Sequence, residues 1–473
     1  MSKIKLTDEV LYEILNNNDD DIVMNHYYNA AVDGNVAAES SDSLLKLLFI
    51  LIRFYDNKLF CEIKNDPLDF FGMEKHNENS EQAKLLELLD RTYFEILKCE
   101  EKGIPLPPQK VLAEFYERYA HALYCFGHYF KCLEFCDKAK HNGEENPLAL
   151  FLKASVIELC YINKTDDIYK IALYNYQKKL IDKCDLAKTW IDIRICQEVS
   201  DIINMRVESF DPISKAISFI PVKEDFQATK KEAKDWTEEK DFYLRNNLFL
   251  NPLNVFEVYV SAATEEFEQV DISDRNKKYF DAVLDDYKTC RTKLYEHMTE
   301  KKILNNSELA MTYNYIYTIF DKLSFLISKV YKLNGNEGTI EFSPDGLFNR
   351  QISGNSMLFK EIKNDNIWPL YLIMKDVRKM SNLKKLQANT FNLKKMRNCV
   401  EHRSVILVGM ADLEKAALLL LKLARDAILY TFALIHTCSK DFAIDKATTI
   451  GTTFHWAAKR IVDRGTETDL IIK

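Results

Sequence analysis

Apolar positions recur at intervals of three and four along most of the 473-residue chain, the spacing of one face of an α-helix. Leu85, Leu88, Leu89, Tyr93 and Ile96 form such a stripe and predict a helix over Ser80–Glu101. A second stripe, Tyr279, Val283, Tyr287, Cys290 and Leu294, predicts a helix over Asp274–Glu300. The third is the longest: Leu309, Tyr313, Ile316, Phe320, Leu323, Ile327 and Val330 within Ser307–Leu333. Denser apolar runs predict a buried helix over Ser43–Tyr55 and a strong last helix over Ala411–His436. Between the first two helices, Asp56–Gly72 with Pro67 reads as a connector, and Gly103, Pro105, Pro107 and Pro108 stop the second.

Two helices are predicted over Val111–Phe126 and His128–His141, joined at Gly127. The pair resembles a tetratricopeptide repeat, a helix–turn–helix unit of about 34 residues. Tyr116, Ala120 and Leu123 fall at packing positions of the first helix, Tyr129 at the turn, and Cys132 and Ala139 at the small-residue positions of the second. Pro147 comes about three residues later than the closing proline of such a unit. Pro147–Tyr161, Ile168–Ile181 and Cys184–Met205 continue the rhythm, so a stack of helical pairs is expected to roughly residue 225.

Polar and breaker residues divide the chain. Lys223–Lys240 is rich in Lys and Glu and reads as a boundary. Arg245–Asn254 then alternates Asn with large apolar residues and ends Asn251-Pro252-Leu253-Asn254, which predicts a non-helical turn docking one domain on the next. Gly335, Gly338, Pro344, Gly346 and Gly354 make Asn334–Asn355 a loop or small hairpin. Ile367–Asp376 opens a segment leading to a helix around Arg397. Asp441–Lys473 is a weaker tail with a short helix around Phe454–Ile461.

Composition agrees with the periodicity. Gly and Pro number only 12 and 10 while hydrophobic residues make up 47%, so the chain is expected to be all-α. Its length implies two or three domains: helical repeats over 1–235, a second helical domain over 236–440 and an extension over 441–473. Eleven Cys without a Cys-x-x-Cys pair, behind a polar N-terminus, suggest a reduced cytoplasmic protein. The most apolar runs, Leu44–Tyr55 and Leu413–Ile435, carry Lys46, Arg53, Lys422, Arg425 and Asp426, so no membrane span is expected. His121, Cys125, His128, Cys132 and Cys136 have helical ligand spacing, but no closed four-ligand pattern; Cys132 and Cys136 read as small core residues, and no metal or cofactor is assigned.

The candidate chemistry is in Arg397-Asn398-Cys399-Val400-Glu401-His402. Arg is a permanent planar phosphate clamp, and His exchanges protons near neutral pH. On one helix, positions five apart point about 140° away from each other, so Arg397 and His402 do not share a face. Either the helix ends between them, or a second copy of the chain supplies one of the two. The net charge is −8, yet six Lys and three Arg between Lys375 and Arg403 face only Asp376 and Glu401. That concentrated basic patch suits a phosphate partner. Val405–Val408 and Gly409 place the helix end near His402, where the helix dipole favours the imidazolium and Arg403 opposes it. Structural alternatives exist for each residue: Arg397 pairing with Glu401, His402 capping the helix, Asn398 merely exposed.

Three stretches taken together, Tyr315–Leu326, Lys394–Arg403 and Leu421–Tyr430, resemble the HEPN superfamily ("higher eukaryotes and prokaryotes nucleotide-binding"), a four-helix domain. The order of tetratricopeptide-like half, Leu250-Asn251-Pro252-Leu253-Asn254 and bundle resembles one prokaryotic subfamily. Similar proteins are metal-independent endoribonucleases whose signature is Arg, a polar residue and a His four to six residues on, matched here by Arg397, Asn398 and His402. The resemblance implies a homodimer through the HEPN domain with a composite site. His402 would move the proton of the ribose 2′-hydroxyl or leaving oxygen, Arg397 would stabilise phosphate charge, and Asn398 would orient one of them or contact the phosphate. Asp321, on the preceding helix, is a further candidate catalytic carboxylate, with a structural ion pair to Lys322 as the alternative reading. Lys394, Lys395 and Arg403 would bind the RNA. Such domains serve as toxins or antiviral defence effectors, which gives the repeats a protein trigger or inhibitor to bind. The rival expectation is a non-catalytic HEPN scaffold or RNA-binding protein.

Overall fold

A computed structural model describes residues 3–17, 20–38, 40–65, 81–125, 128–141, 143–160, 167–183, most of 200–209, 237–250, 274–301, 303–333, 340–348, 351–352, 356–357, 367–378 and 410–438. The protein is all-α; the strands among the described residues are three short two-stranded pairs. The first pair is parallel, β1 (Ile4–Leu6) with β2 (Val36–Ala38), and brackets α1 (Asp8–Asn16) and α2 (Asp21–Asp33). Local chemistry sets these helix ends. Thr7 and Asp20 accept from backbone N–H groups of the first turns of α1 and α2, and Gly34 closes α2 in the left-handed region at φ 69°.

Helices then follow one another: α3 (Ser41–Asn65), α4 (Glu81–Glu101), α5 (Gln109–Cys125), α6 (Tyr129–Lys138), α7 (Pro147–Cys160) and α8 (Asp167–Asp182). Packing follows chain order, α3 on α4, α5 on α6, α6 on α7 and α7 on α8. Leu85, Leu88, Leu89 and Ile96 are buried, as are Ala120, Leu123, Tyr129, Cys132 and Ala139. Cys132 and Cys136 belong to this core, with their sulfurs 3.9 Å apart. Among the described residues, no group of three His, Cys, Asp or Glu is placed to hold a metal ion.

In the N-terminal half the structure departs from the periodicity at two places. The stretch from Asp56 is helical as far as Asn65, because no breaker precedes Pro67 and the buried Asp56 carboxylate pairs with Arg118 of α5. The helix expected to reach His141 ends at Lys138. A hairpin, β3 (Lys140–His141) and β4 (Glu144–Glu145), follows, turning at Gly143 with φ 80°. That insertion accounts for the late position of Pro147, which starts α7 in the first turn, where proline is tolerated.

The C-terminal half opens with α9 (Glu238–Arg245). Four helices follow: α10 (Asp274–Met298), α11 (Asn306–Val330), α12 (Ile367–Arg378) and α13 (Met410–Cys438). Helix α13 packs on α10, α11 and α12, while α10 and α11 form an antiparallel hairpin. Asn305 and Glu308 build a reciprocal cap at the start of α11: Asn305 accepts from the Ser307 and Glu308 N–H groups, and Glu308 accepts from the Asn305 N–H at 2.9 Å. Val283, Tyr287, Cys290 and Leu294 are core residues, but Tyr279 is 37% exposed and Phe280 takes the buried position next to it. Tyr279 instead packs edge-on against Phe325 of α11, with ring centroids 5.3 Å apart. Between α11 and α12 lie a π-helical turn, Pro344–Phe348, and a hairpin, β5 (Gln351–Ile352) with β6 (Ser356–Met357).

Candidate functional site

Asp321 sits midway along α11, partly buried, and accepts a hydrogen bond from the backbone N–H of Phe342 at 2.9 Å. Its neighbour Lys322 turns elsewhere, pairing with Asp286 of α10, which also accepts from the Tyr315 hydroxyl at 2.7 Å. The structure therefore directs the two residues to different partners. The Phe342 anchored by Asp321 begins an aromatic run: Phe320 to Phe342 at 5.3 Å, Phe342 to Phe348 at 5.8 Å, and Phe348 to Tyr371 of α12 at 5.4 Å. Edge-on and tilted ring contacts of this kind fix α12 relative to α11. Gly346 is required within the run, because a Cβ there would stand 2.4 Å from the Glu341 carbonyl oxygen.

The segment bearing the candidate motif leaves α12 at Arg378 and re-enters the described chain at Met410, the first residue of α13. Arg397, Asn398, His402, Lys394, Lys395 and Arg403 all fall between these points, outside the described residues; Asp321 is the candidate whose surroundings are described. Both flanking helices are firmly held. Ile367, Leu370, Ile373, Met374 and Val377 of α12 are buried. Early in α13, Glu414 meets His297 of α10 at 2.9 Å. The Leu304 N–H donates to His297 Nδ1 at 3.0 Å, which leaves the proton on Nε2, facing the carboxylate.

Further along α13, Arg425 is 2% exposed. Its Nε donates to the Phe249 carbonyl and its Nη1 to Asp426, both at 2.9 Å. Burial pushes the Asp426 carboxyl up to about 6 against the pull of Arg425, with the Glu134 charge adding to the rise. Residues 246–250, the described part of the string, are non-helical, with Asn247 at φ 53°, and use their carbonyls as acceptors; Asn251-Pro252-Leu253-Asn254 lies outside the described residues. Leu248 accepts from the Tyr287 hydroxyl at 2.8 Å and from Arg291 at 3.1 Å, Phe249 accepts from Arg425, and Asn247 donates to Glu134 of α6 at 3.4 Å. The string thus touches α6, α10 and α13 at once. The alternation of Asn with large apolar residues was its signal in the sequence; the two buried arginines that receive it gave none.

All four helices α10–α13 lie within residues 257–438, which match the family model described as LA2681-like HEPN. The chain carries a HEPN domain. The match ends at the last residue of α13, and it spans Asp321 and the whole Arg397–His402 stretch. No curated protein and no solved structure gives a significant match to the chain. Among the described residues, no helix is long and apolar enough to cross a membrane.

Proposed function

We propose that the chain is a metal-independent endoribonuclease of the toxin or antiviral-defence kind, acting as a homodimer through its HEPN domain. The observation that carries this reading is the coincidence of an LA2681-like HEPN match over 257–438 with an Arg-Asn-x-x-x-His pattern inside it, at Arg397, Asn398 and His402. The basic run from Lys375 to Arg403, in a chain of net charge −8, supports an RNA phosphate as partner.

In the proposed reaction the ribose 2′-hydroxyl attacks the adjacent phosphorus and the 5′-oxygen of the next nucleotide leaves. The products are a 2′,3′-cyclic phosphate and a 5′-hydroxyl. His402 moves the proton taken from the 2′-oxygen or given to the leaving oxygen. Arg397 stabilises charge on the phosphate, and Asn398 orients it. Lys394, Lys395 and Arg403 hold the RNA backbone, and Asp321 contributes a carboxylate from α11. Because residues five apart on one helix diverge by about 140°, the Arg and His that cooperate come from two copies of the chain. The N-terminal helices serve as the sensing or restraining half.

Purified protein incubated with total RNA and EDTA tests this. Cleavage that disappears in Arg397→Ala and His402→Ala, with 2′,3′-cyclic phosphate ends on the products, is the expected result. Intact RNA at high protein concentration, together with undiminished RNA binding, would instead assign a non-catalytic HEPN scaffold. Sedimentation showing only monomer at micromolar concentration would overturn the shared site.

A further inference from the structure

Among the described residues, large apolar side chains stand in water chiefly on the α10–α11 hairpin. Tyr279, Met298, Ile303, Met311 and Tyr315 are all exposed there, whereas Tyr12, Ile22 and Met205 lie on separate elements. Single exposed apolar residues are ordinary, but a cluster of them marks a surface that meets a partner.

On α11 this surface is a narrow stripe. Glu308, Met311, Tyr315, Thr318 and Lys322 are exposed, and Met311 reaches 72%. At about 100° per residue these positions fall within roughly 80° of one another around the helix. Tyr315 is held in place before any partner arrives. Its hydroxyl donates to Asp286 at 2.7 Å, and Lys322, paired with the same carboxylate, sets its ammonium 5.4 Å from the ring centre. A ring fixed in this way loses little freedom when it is covered. Beyond Lys322, Tyr279 edge-on to Phe325 continues the apolar surface.

The charges of the stripe are complementary to themselves. Glu308 stands seven residues before Tyr315 and Lys322 seven after, about 10 Å to either side along the helix. When two copies of α11 lie antiparallel with a two-fold axis at Tyr315, Glu308 of each copy faces Lys322 of the other, Met311 lies beside Thr318 of the other, and the two Tyr315 rings meet at the axis. Parallel packing in register sets Glu308 on Glu308 and Lys322 on Lys322, so the charges select the antiparallel arrangement. Glu308 gives Oε2 to its cap bond with the Asn305 N–H, which leaves Oε1 for this contact.

We infer that the exposed stripe of α11 is the surface on which a second copy of this chain docks, antiparallel about Tyr315. The inference rests on the homodimer part of the function proposed above, for which it names the face, and is independent of RNA cleavage.

Sedimentation of the full chain tests it. Met311→Glu alters a side chain already in water, so the fold is kept, and it is expected to weaken self-association by roughly tenfold or more. Ile22→Glu, at a position of α2 that is 82% exposed, should leave self-association unchanged. Glu308→Lys and Lys322→Glu each place like charges opposite one another at both ends of the contact and should weaken it too. An equimolar mixture of these two proteins regains opposite charges at both ends and should return to within about threefold of the wild type, a recovery that a damaged fold does not give. A wild-type dimer that Met311→Glu leaves as tight, or a mixture that stays as weak as its components, overturns this docking and leaves the homodimer reading to another face. A wild type that is monomeric at micromolar concentration removes both. Peroxide oxidation of Met311 in that monomer then tells what the face serves: slow oxidation means that the chain covers it by itself, and fast oxidation leaves it to a different protein.

Discussion

Phe130 and Tyr430, 300 residues apart in sequence, meet through a backbone N–H to hydroxyl hydrogen bond of 3.2 Å and a tilted ring contact of 4.4 Å. The Phe130 N–H is one of the first-turn donors of α6, for which the helix itself has no acceptor, and the His128 side chain at the N-cap makes no capping bond. Tyr430 therefore caps a helix of the other half of the protein. Tyr430→Phe is expected to cost about 1 kcal/mol by removing this buried hydrogen bond. Phe130→Ala is expected to cost about 3 kcal/mol through the cavity it leaves. Urea denaturation of the full chain measures both, and equal costs for the two variants would contradict this account.

Acid has two opposing effects at the same seam. Burial, with Lys131 adding, holds His128 down to about 3 from an ordinary value of 6.5. The folded chain thus refuses a proton that the unfolded chain accepts, and this stability, present above pH 6.5, is lost as the pH falls below it. At pH 5 the loss is about 2 kcal/mol. Asp426 works in the other direction. Its carboxyl is raised from 3.8 to about 6, by burial first and by Glu134 next, against Arg425 and Lys422. The folded state therefore gains about 1 kcal/mol relative to the unfolded one between pH 7 and pH 5. His128→Asn, which removes the imidazole and puts a good capping residue at the N-cap, should flatten the acid loss, and Asp426→Asn should steepen it. Denaturation midpoints at pH 7 and pH 5 for the three proteins check both signs.

Gly346 permits the chain to turn back on Glu341. In Gly346→Ala the added methyl meets a backbone carbonyl oxygen at 2.4 Å and the backbone nitrogen of the same residue at 2.8 Å, neither of which is a flexible side-chain end. The turn must shift, at a cost of about 1–3 kcal/mol. Because Phe342 and Phe348 pass α11's position on to Tyr371 of α12, exchange should rise over 340–348 and α12. A variant as stable as the wild type would show that the turn yields freely.

Asp321 can be separated into an anchor and a charge. Asp321→Asn keeps an oxygen for the Phe342 N–H and should leave stability within about 0.5 kcal/mol, whereas Asp321→Ala should lose about 1 kcal/mol. If the carboxylate serves the proposed reaction, Asp321→Asn lowers RNA cleavage at least tenfold at unchanged stability. Cleavage that stays intact in Asp321→Asn makes Asp321 the anchor of the Phe342 segment alone.

Much of the helical framework was legible in the sequence because it is written locally. Stripes such as Leu309 to Val330 need only a three-to-four period, and stops such as Gly103 with Pro105 act within a few residues. Contacts between residues distant in the chain are not written locally. Asp56 reads as part of a connector because a lone charge looks exposed until Arg118 is brought to it, and Tyr279 reads as core because the period alone does not separate it from Phe280. For the candidate site, Arg397, Asn398 and His402 were legible as a pattern, and the HEPN match encloses them.

By itself, then, the sequence determined an all-α chain, the extent of most of its helices, a HEPN domain and the Arg-Asn-x-x-x-His pattern that lies within it. Periodicity, breakers and motif spacing are properties of neighbours along the chain. The tertiary structure alone decided that Asp321 turns to Phe342 while Lys322 turns to Asp286, that Arg425 is buried against Phe249 and Phe130, and that α6 is capped by Tyr430. These pairings join residues up to 300 positions apart. They are fixed by which helix faces come together when the core closes, a choice that no local pattern encodes.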